Sequence, residues 1–112
     1  MMITPSPGIA GHRVVRTLGL VRGNTIRARN IGRDITAVFR NMVGGEIKEY
    51  TKLMAEAREQ AIDRMLENAE ELGANAVINL RFTTSYIMGS ASEILVFGDA
   101  VVVEQEPEVG GL

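Results

Sequence analysis

The chain has no cysteine, one histidine, three prolines and an aromatic content of only 4%. Without cysteine there are no disulfides, no Cys–His catalysis and no thiolate metal sites, and the composition accords with a reducing compartment. His12 stands at a predicted strand start and reads as an exposed structural histidine rather than as a catalyst. No apolar run approaches the roughly 20 residues that span a bilayer. The stretch from Met1 to Gly11 has no apolar segment behind a basic cluster, so the expected location is the cytoplasm. Glycine-rich phosphate loops are missing as well, since Val43-Gly44-Gly45-Glu46 lacks the lysine and the spacing of a nucleotide-binding loop.

What is present is ordinary globular material: 112 residues, 46% hydrophobic and 23% charged. That length predicts a single domain, 1–112, with a flexible acidic tail over about 105–112. It is enough for a core, but covering both faces of a sheet is difficult at this size. The net charge of -2 hides an asymmetry. Residues 1–45 carry seven arginines against Asp34 alone, a net +6, whereas residues 46–112 carry five basic and thirteen acidic residues, a net -8. A positive front and a negative back favour another copy of the chain as partner over an anionic ligand.

Periodicity divides the chain into elements. His12 to Val21 reads as a strand in which Gly19 marks a bulge or a close approach. Arg22-Gly23-Asn24 reads as a turn, followed by a strand from Thr25 to Arg29, a hairpin in all. Asp34 is placed to cap a short helix carrying Ile35, Val38, Phe39, Met42 and Val43 on one side, stopped by Gly44-Gly45. A long helix is predicted from about Glu46 to Leu72. Its apolar stripe is Ile47, Tyr50, Met54, Ala57, Ala61, Met65, Ala69 and Leu72, and its wet face is Lys48, Lys52, Glu56, Glu59, Asp63, Glu67 and Glu70. Gly73 ends it. Asn75 to Met88 then alternates as a strand with Ala76, Ile78, Leu80, Phe82, Tyr86 and Met88 on its dry side. After Gly89-Ser90, Ala91 to Val103 is a strand apolar on both faces, of which one helix can cover only one.

Arg58 falls between Met54 and Ala61 on the apolar stripe, where an unpaired guanidinium is costly to bury. It therefore calls for an anion: Asp34, Glu93, Asp99 or a neighbouring subunit on one reading, an anionic ligand at a subunit junction on the other. The cluster Arg22, Arg27, Arg29, Arg33 and Arg40 poses the same choice. Nucleic acid is disfavoured by a pI near 5.4, few aromatics and the absence of a reading motif. The acidic helix face, interspersed with Lys and Arg, reads as solvation or subunit contact rather than a cation site.

Taken together, Leu18-Gly19-Leu20-Val21-Arg22-Gly23, Arg33-Asp34 with Arg40, Val43-Gly44-Gly45, Tyr50, Ala57-Arg58-Glu59, Leu72-Gly73-Ala74-Asn75-Ala76-Val77-Ile78, Arg81-Phe82 and Gly98-Asp99-Ala100-Val101 occur in the order found in the YbjQ-type family, which carries a heavy-metal-binding label. From about Ile3 to Val103 the chain resembles that family. The resemblance implies an α+β, dodecin-like subunit, a small antiparallel β-sheet packed on one long helix plus a short helix, with copies closing into a ring, a pentamer. It departs from the family pattern at Thr83, where relatives often carry a carboxylate, and at Asp99, where a threonine is usual. Arg33, Asp34, Arg40, Tyr50, Arg58 and Arg81 are the candidate ligand-binding residues; no catalytic residue, metal ligand or cofactor is assigned. The function expected is that of a cytoplasmic, non-enzymatic homo-oligomer binding a metal ion or small anionic ligand at subunit junctions. A purely structural oligomer and an enzyme acting on an anionic substrate are the alternatives.

Overall fold

The computed structural model describes residues 1–27, 47–88 and 91–107. Within them, four strands and a helix follow in the order β1 (Met2–Ile3), β2 (His12–Arg27), α1 (Ile47–Glu71), β3 (Ala76–Met88) and β4 (Ala91–Gln105). The sheet is ordered β1-β3-β4-β2, antiparallel between its long strands and parallel where β1 meets the start of β3. The expected α+β architecture is therefore found, with a mixed rather than purely antiparallel sheet. The predicted short helix after Asp34 lies outside the described residues.

α1 stops where its sequence says it should. Gly73 takes a φ of 86°, a conformation that costs glycine little. The Ala74 N–H then bonds the Ala69 carbonyl and the Gly73 N–H the Glu70 carbonyl, both at 3.0 Å. This pair of bonds satisfies carbonyls left free at the last turn. Asn75 next starts β3: its side chain accepts from the Val103 N–H at 2.8 Å and donates to the Val103 carbonyl at 2.9 Å. Leu72-Gly73-Ala74-Asn75 is thus a helix-to-strand joint.

One face of α1 lies on the sheet. Ala57, Ala61, Met65 and Ala69 are fully buried against Val21, Val77, Ile94, Val96 and Ala100. The alanines let the backbones come close, and at Gly23 a Cβ would collide with the Ala61 carbonyl and stand 2.5 Å from the Met65 nitrogen. Two further bonds clip helix to strand: the buried Thr25 hydroxyl donates to the Ala57 carbonyl at 2.7 Å, and Arg64 donates to the Asn24 carbonyl at 2.6 Å. The turn expected at Arg22-Gly23-Asn24 is consequently absent, and β2 runs straight through it. Gly23 is needed for contact, not reversal. The bulge expected at Gly19 is present, with φ 131° and a register shift after Thr17. Leu72, expected in the stripe, is 45% exposed because the helix ends at Glu71, before it.

β3 does not keep a single dry side. Asn79 has a φ of 55°, and the register slips between Ile78 and Arg81. Ala76 and Ile78 therefore belong to a second cluster with Val101 and Val103, on the face away from α1, whereas Leu80 packs on the helix side. One extra residue in a strand reverses every side chain after it. The amino-terminal segment covers the second cluster through Ile9 and is tied down by bonds from Thr4 N–H to Val77 O, Leu80 N–H to Thr4 O and Asn79 N–H to Ser6 O. Gln105, expected in the flexible tail, closes β4, and the Glu106 N–H bonds the Gly11 carbonyl at 2.8 Å.

Lengths explain the shape. Strands of 16 and 15 residues extend about 50 Å at roughly 3.3 Å per residue. The 25-residue helix covers only about 37 Å. The radius of gyration is 18.5 Å, against about 13 Å for a compact chain of this length. No helix among the described residues is long and apolar enough to cross a membrane.

Candidate functional site: the open face of the sheet

Because Val21, Gly23, Thr25, Ile94 and Val96 face α1, their alternates in β2 and β4 face away from it. The register sets these out in rows across three strands. Arg22, Phe97 and Arg81 form one row, Asn24, Leu95 and Thr83 the next, and Ile26, Glu93 and Ser85 the third; Leu20, Asp99 and Ile78 lie on the other side of the first. Leu20 is 62% and Ile26 54% exposed, while Leu95 and Phe97 are partly buried. Among the described residues, only the amino-terminal segment lies over this face, and it covers the Ala76–Ile78 end.

Among the described residues the acids of this face do not pair with its arginines. Asp99 accepts a bond from the Asn79 side-chain amide at 2.9 Å, and Glu93 one from the Asn24 amide at 3.0 Å. Arg81 uses Nη1 to donate to the carbonyls of Pro5 and Leu80, both at 2.8 Å, which fixes the guanidinium on an exposed side chain. Arg22 is exposed, and its side chain has no hydrogen bond or ion pair among the described residues. The ion pair found there, Arg13 with Glu104 at 3.3 Å, is exposed and lies beyond the row. Two cations thus flank one aromatic ring, an arrangement that suits an anion and, through the ring, an apolar or planar group.

Of the candidate ligand-binding residues, Arg33, Asp34 and Arg40 lie outside the described residues, as does the side chain of Tyr50. Arg81 is in the open face. Arg58 is not, and its expected burial is not found: it is exposed on α1, with no partner among the described residues. The reason is helical geometry. The buried line Ala57, Ala61, Met65, Ala69 steps by four, and at about 100° per residue each step drifts about 40° around the axis. At the level of residue 58 the sheet lies on the Ala57 side, roughly a quarter turn away from Arg58. The arginine cluster of the sequence contains Arg22, but in the sequence Phe97 is one apolar residue within the Ala91–Val103 strand, and only the pairing of β4 with both neighbours reveals its two arginines. His12 is half-buried, with Nδ1 3.0 Å from the Ala10 carbonyl.

A thin α+β fold, with one sheet face covered by its own helix and the other carrying an Arg–Phe–Arg row that no carboxylate among the described residues pairs with, is the class this geometry defines. The chain belongs to the YbjQ family, whose model, described as "Putative heavy-metal-binding", matches residues 1–104. It is similar to a UPF0145 protein of Halorubrum lacusprofundi, 62% identical over 101 residues that make up 90% of this chain and 97% of the relative. A UPF0145 protein of Pyrococcus horikoshii is 55% identical over 105 residues, 94% of this chain and 90% of the relative. A UPF0145 protein of Dehalococcoides mccartyi is 53% identical over 104 residues, 93% of this chain and the whole of the relative. Among solved structures, a DUF74-family protein from Pediococcus pentosaceus superposes with a TM-score of 0.61 at 14% identity, covering 93% of this chain and 98% of that one, a likeness of fold alone.

The donor set does not fit the heavy metal in the family description. There is no cysteine and one histidine. Among the described residues no three His, Asp or Glu side chains converge. Met65 is sealed in the core, and Met54 packs against it. Among the described residues that leaves His12 and the exposed thioethers of Met1 and Met2, without the cysteine thiolates such a metal prefers.

Proposed function

We propose that this chain is the non-enzymatic, cytoplasmic subunit of a homo-oligomer that holds a small anionic ligand where one copy meets the next. The observation that carries this reading is the open sheet face, where Arg22 and Arg81 flank Phe97 and the neighbouring carboxylates are already held by amides. The thin, extended form supports the assembly: a sheet with Leu20 and Ile26 largely exposed gains burial from a second copy. A closed ring of dodecin-like subunits, five in number, is the assembly that the family resemblance implies. Light scattering at micromolar concentration then gives a multiple of 12.2 kDa, and native mass spectrometry finds a bound anion that Arg22→Ala with Arg81→Ala removes. A monomer in light scattering overturns the assembly; a ring that is empty under native conditions overturns the ligand.

The second reading is a structural oligomer with no ligand. It is favoured by the helix surface, where Glu56, Glu59, Asp63, Glu67 and Glu70 are all exposed and available to the arginines of another copy. On this reading the ring forms empty and falls apart as salt is raised.

A further inference from the structure

Resting on the reading that the open face holds an anion, we infer that the ligand is a heteroaromatic ring carrying a phosphate, the chemistry of a nucleoside monophosphate. The row itself supplies the argument. Arg22, Phe97 and Arg81 are direct cross-strand partners on one face. With neighbouring strands about 4.8 Å apart, the two arginine backbones stand about 10 Å apart with the ring midway, so a group above the ring is within reach of the free Arg22 side chain and stands beside the anchored Arg81. An inorganic anion would engage the arginines and leave the exposed part of Phe97 without a partner. A flat ring laid on Phe97 uses both, because every aromatic base offers a π-face and its anionic substituent reaches the guanidiniums at the edge.

The next row fits a ring with polar edges. Leu95 extends the apolar floor beside Phe97, and the exposed Thr83 hydroxyl flanks it on β3. A purely hydrocarbon ring would make no use of that hydroxyl, whereas a ring nitrogen or carbonyl would accept its hydrogen bond. Arg81 is pre-set for the task, since Nη1 is anchored on the carbonyls of Pro5 and Leu80. An anchored donor loses less freedom on binding than a loose one.

Calorimetry on the full chain at low salt, with adenosine monophosphate, adenosine and inorganic phosphate as probes, separates ring from charge. Adenosine monophosphate binds, and each of the other two binds at least about tenfold more weakly. Phe97→Ala weakens adenosine monophosphate about tenfold and leaves phosphate unchanged, Arg22→Ala weakens both, and Phe82→Ala, on the helix side of β3, weakens neither. Circular dichroism melts of the variants keep loss of binding distinct from loss of fold. If phosphate binds as tightly as adenosine monophosphate and Phe97→Ala changes nothing, the ring is overturned while the anion reading stands. If an intact oligomer binds none of the probes and Arg22→Ala dissociates it, both the inference and the anion reading fall and the arginines serve subunit contact.

Discussion

Along β2, Val21, Gly23 and Thr25 are buried beneath α1, while Leu20, Arg22, Asn24 and Ile26, alternating with them on the same strand, are exposed. The two sets share a backbone, and each mixes strand formers with a residue disfavoured in strands, Val and Thr with Gly in one and Ile with Asn in the other, so propensity alone does not separate them. What separates them is whether a second layer exists above each face. The helix side has one built to ångström tolerance, with alanines and a glycine in backbone contact. The far side has a short amino-terminal cover at one end and an open floor for the rest. A face closed to that tolerance cannot accept a change of volume, whereas an open one can carry charge and exchange partners.

The largest test of this contrast is Gly23→Val. The added side chain collides with the Ala61 carbonyl and the Met65 nitrogen, which are backbone and cannot swing aside. A loss of about 3 kcal/mol or more is expected in urea unfolding, or no soluble fold at all. Were the variant as stable as the parent, helix and strand could not be in contact there. Met65→Ala comes next. It empties the largest fully buried side chain in the core and should cost about 2–5 kcal/mol.

Much of this closed face could be read from the sequence, because its signals are periodic. The stretch Glu46 to Leu72 predicts a helix found over Ile47–Glu71, and Asn75 to Met88 a strand found over Ala76–Met88. The misreadings occur where one residue's role depends on something distant in the chain. Gly23 looks like a turn residue until Ala61 is seen above it. Asn79 looks like one more alternating position until its positive φ moves Leu80 to the other face. Arg58 lies on the stripe of a helical wheel but not on the drifting line where the sheet touches. The site depends even more on pairing. Arg22, Arg81 and Phe97 are separated by 59 and 16 residues along the chain and meet only through the register of β4. Local pattern carries no trace of that row.

A subtler test lies at Thr25. Thr25→Val keeps the shape and removes the hydroxyl that bonds the Ala57 carbonyl, whose place in the helical ladder remains. The expected loss is about 1 kcal/mol, visible as a lower urea midpoint at unchanged slope. A loss near that of Met65→Ala would mean that the bond sets the approach of helix to strand rather than merely decorating it.

Leu20→Ser should have the smallest effect on the chain itself and bears most directly on what closes the open face. At 62% exposure Leu20 makes little use of its own chain, so in dilute protein its loss is expected within about 0.5 kcal/mol. If another copy rests on the face, the same substitution costs more as concentration rises, since association stabilises only the assembled form. Thermal melts of parent and variant over a hundredfold range of concentration should therefore diverge upward. Parallel melts would mean that no copy uses Leu20. A large loss that ignores concentration would mean that the chain closes this face on itself, and the contrast between the two faces would disappear.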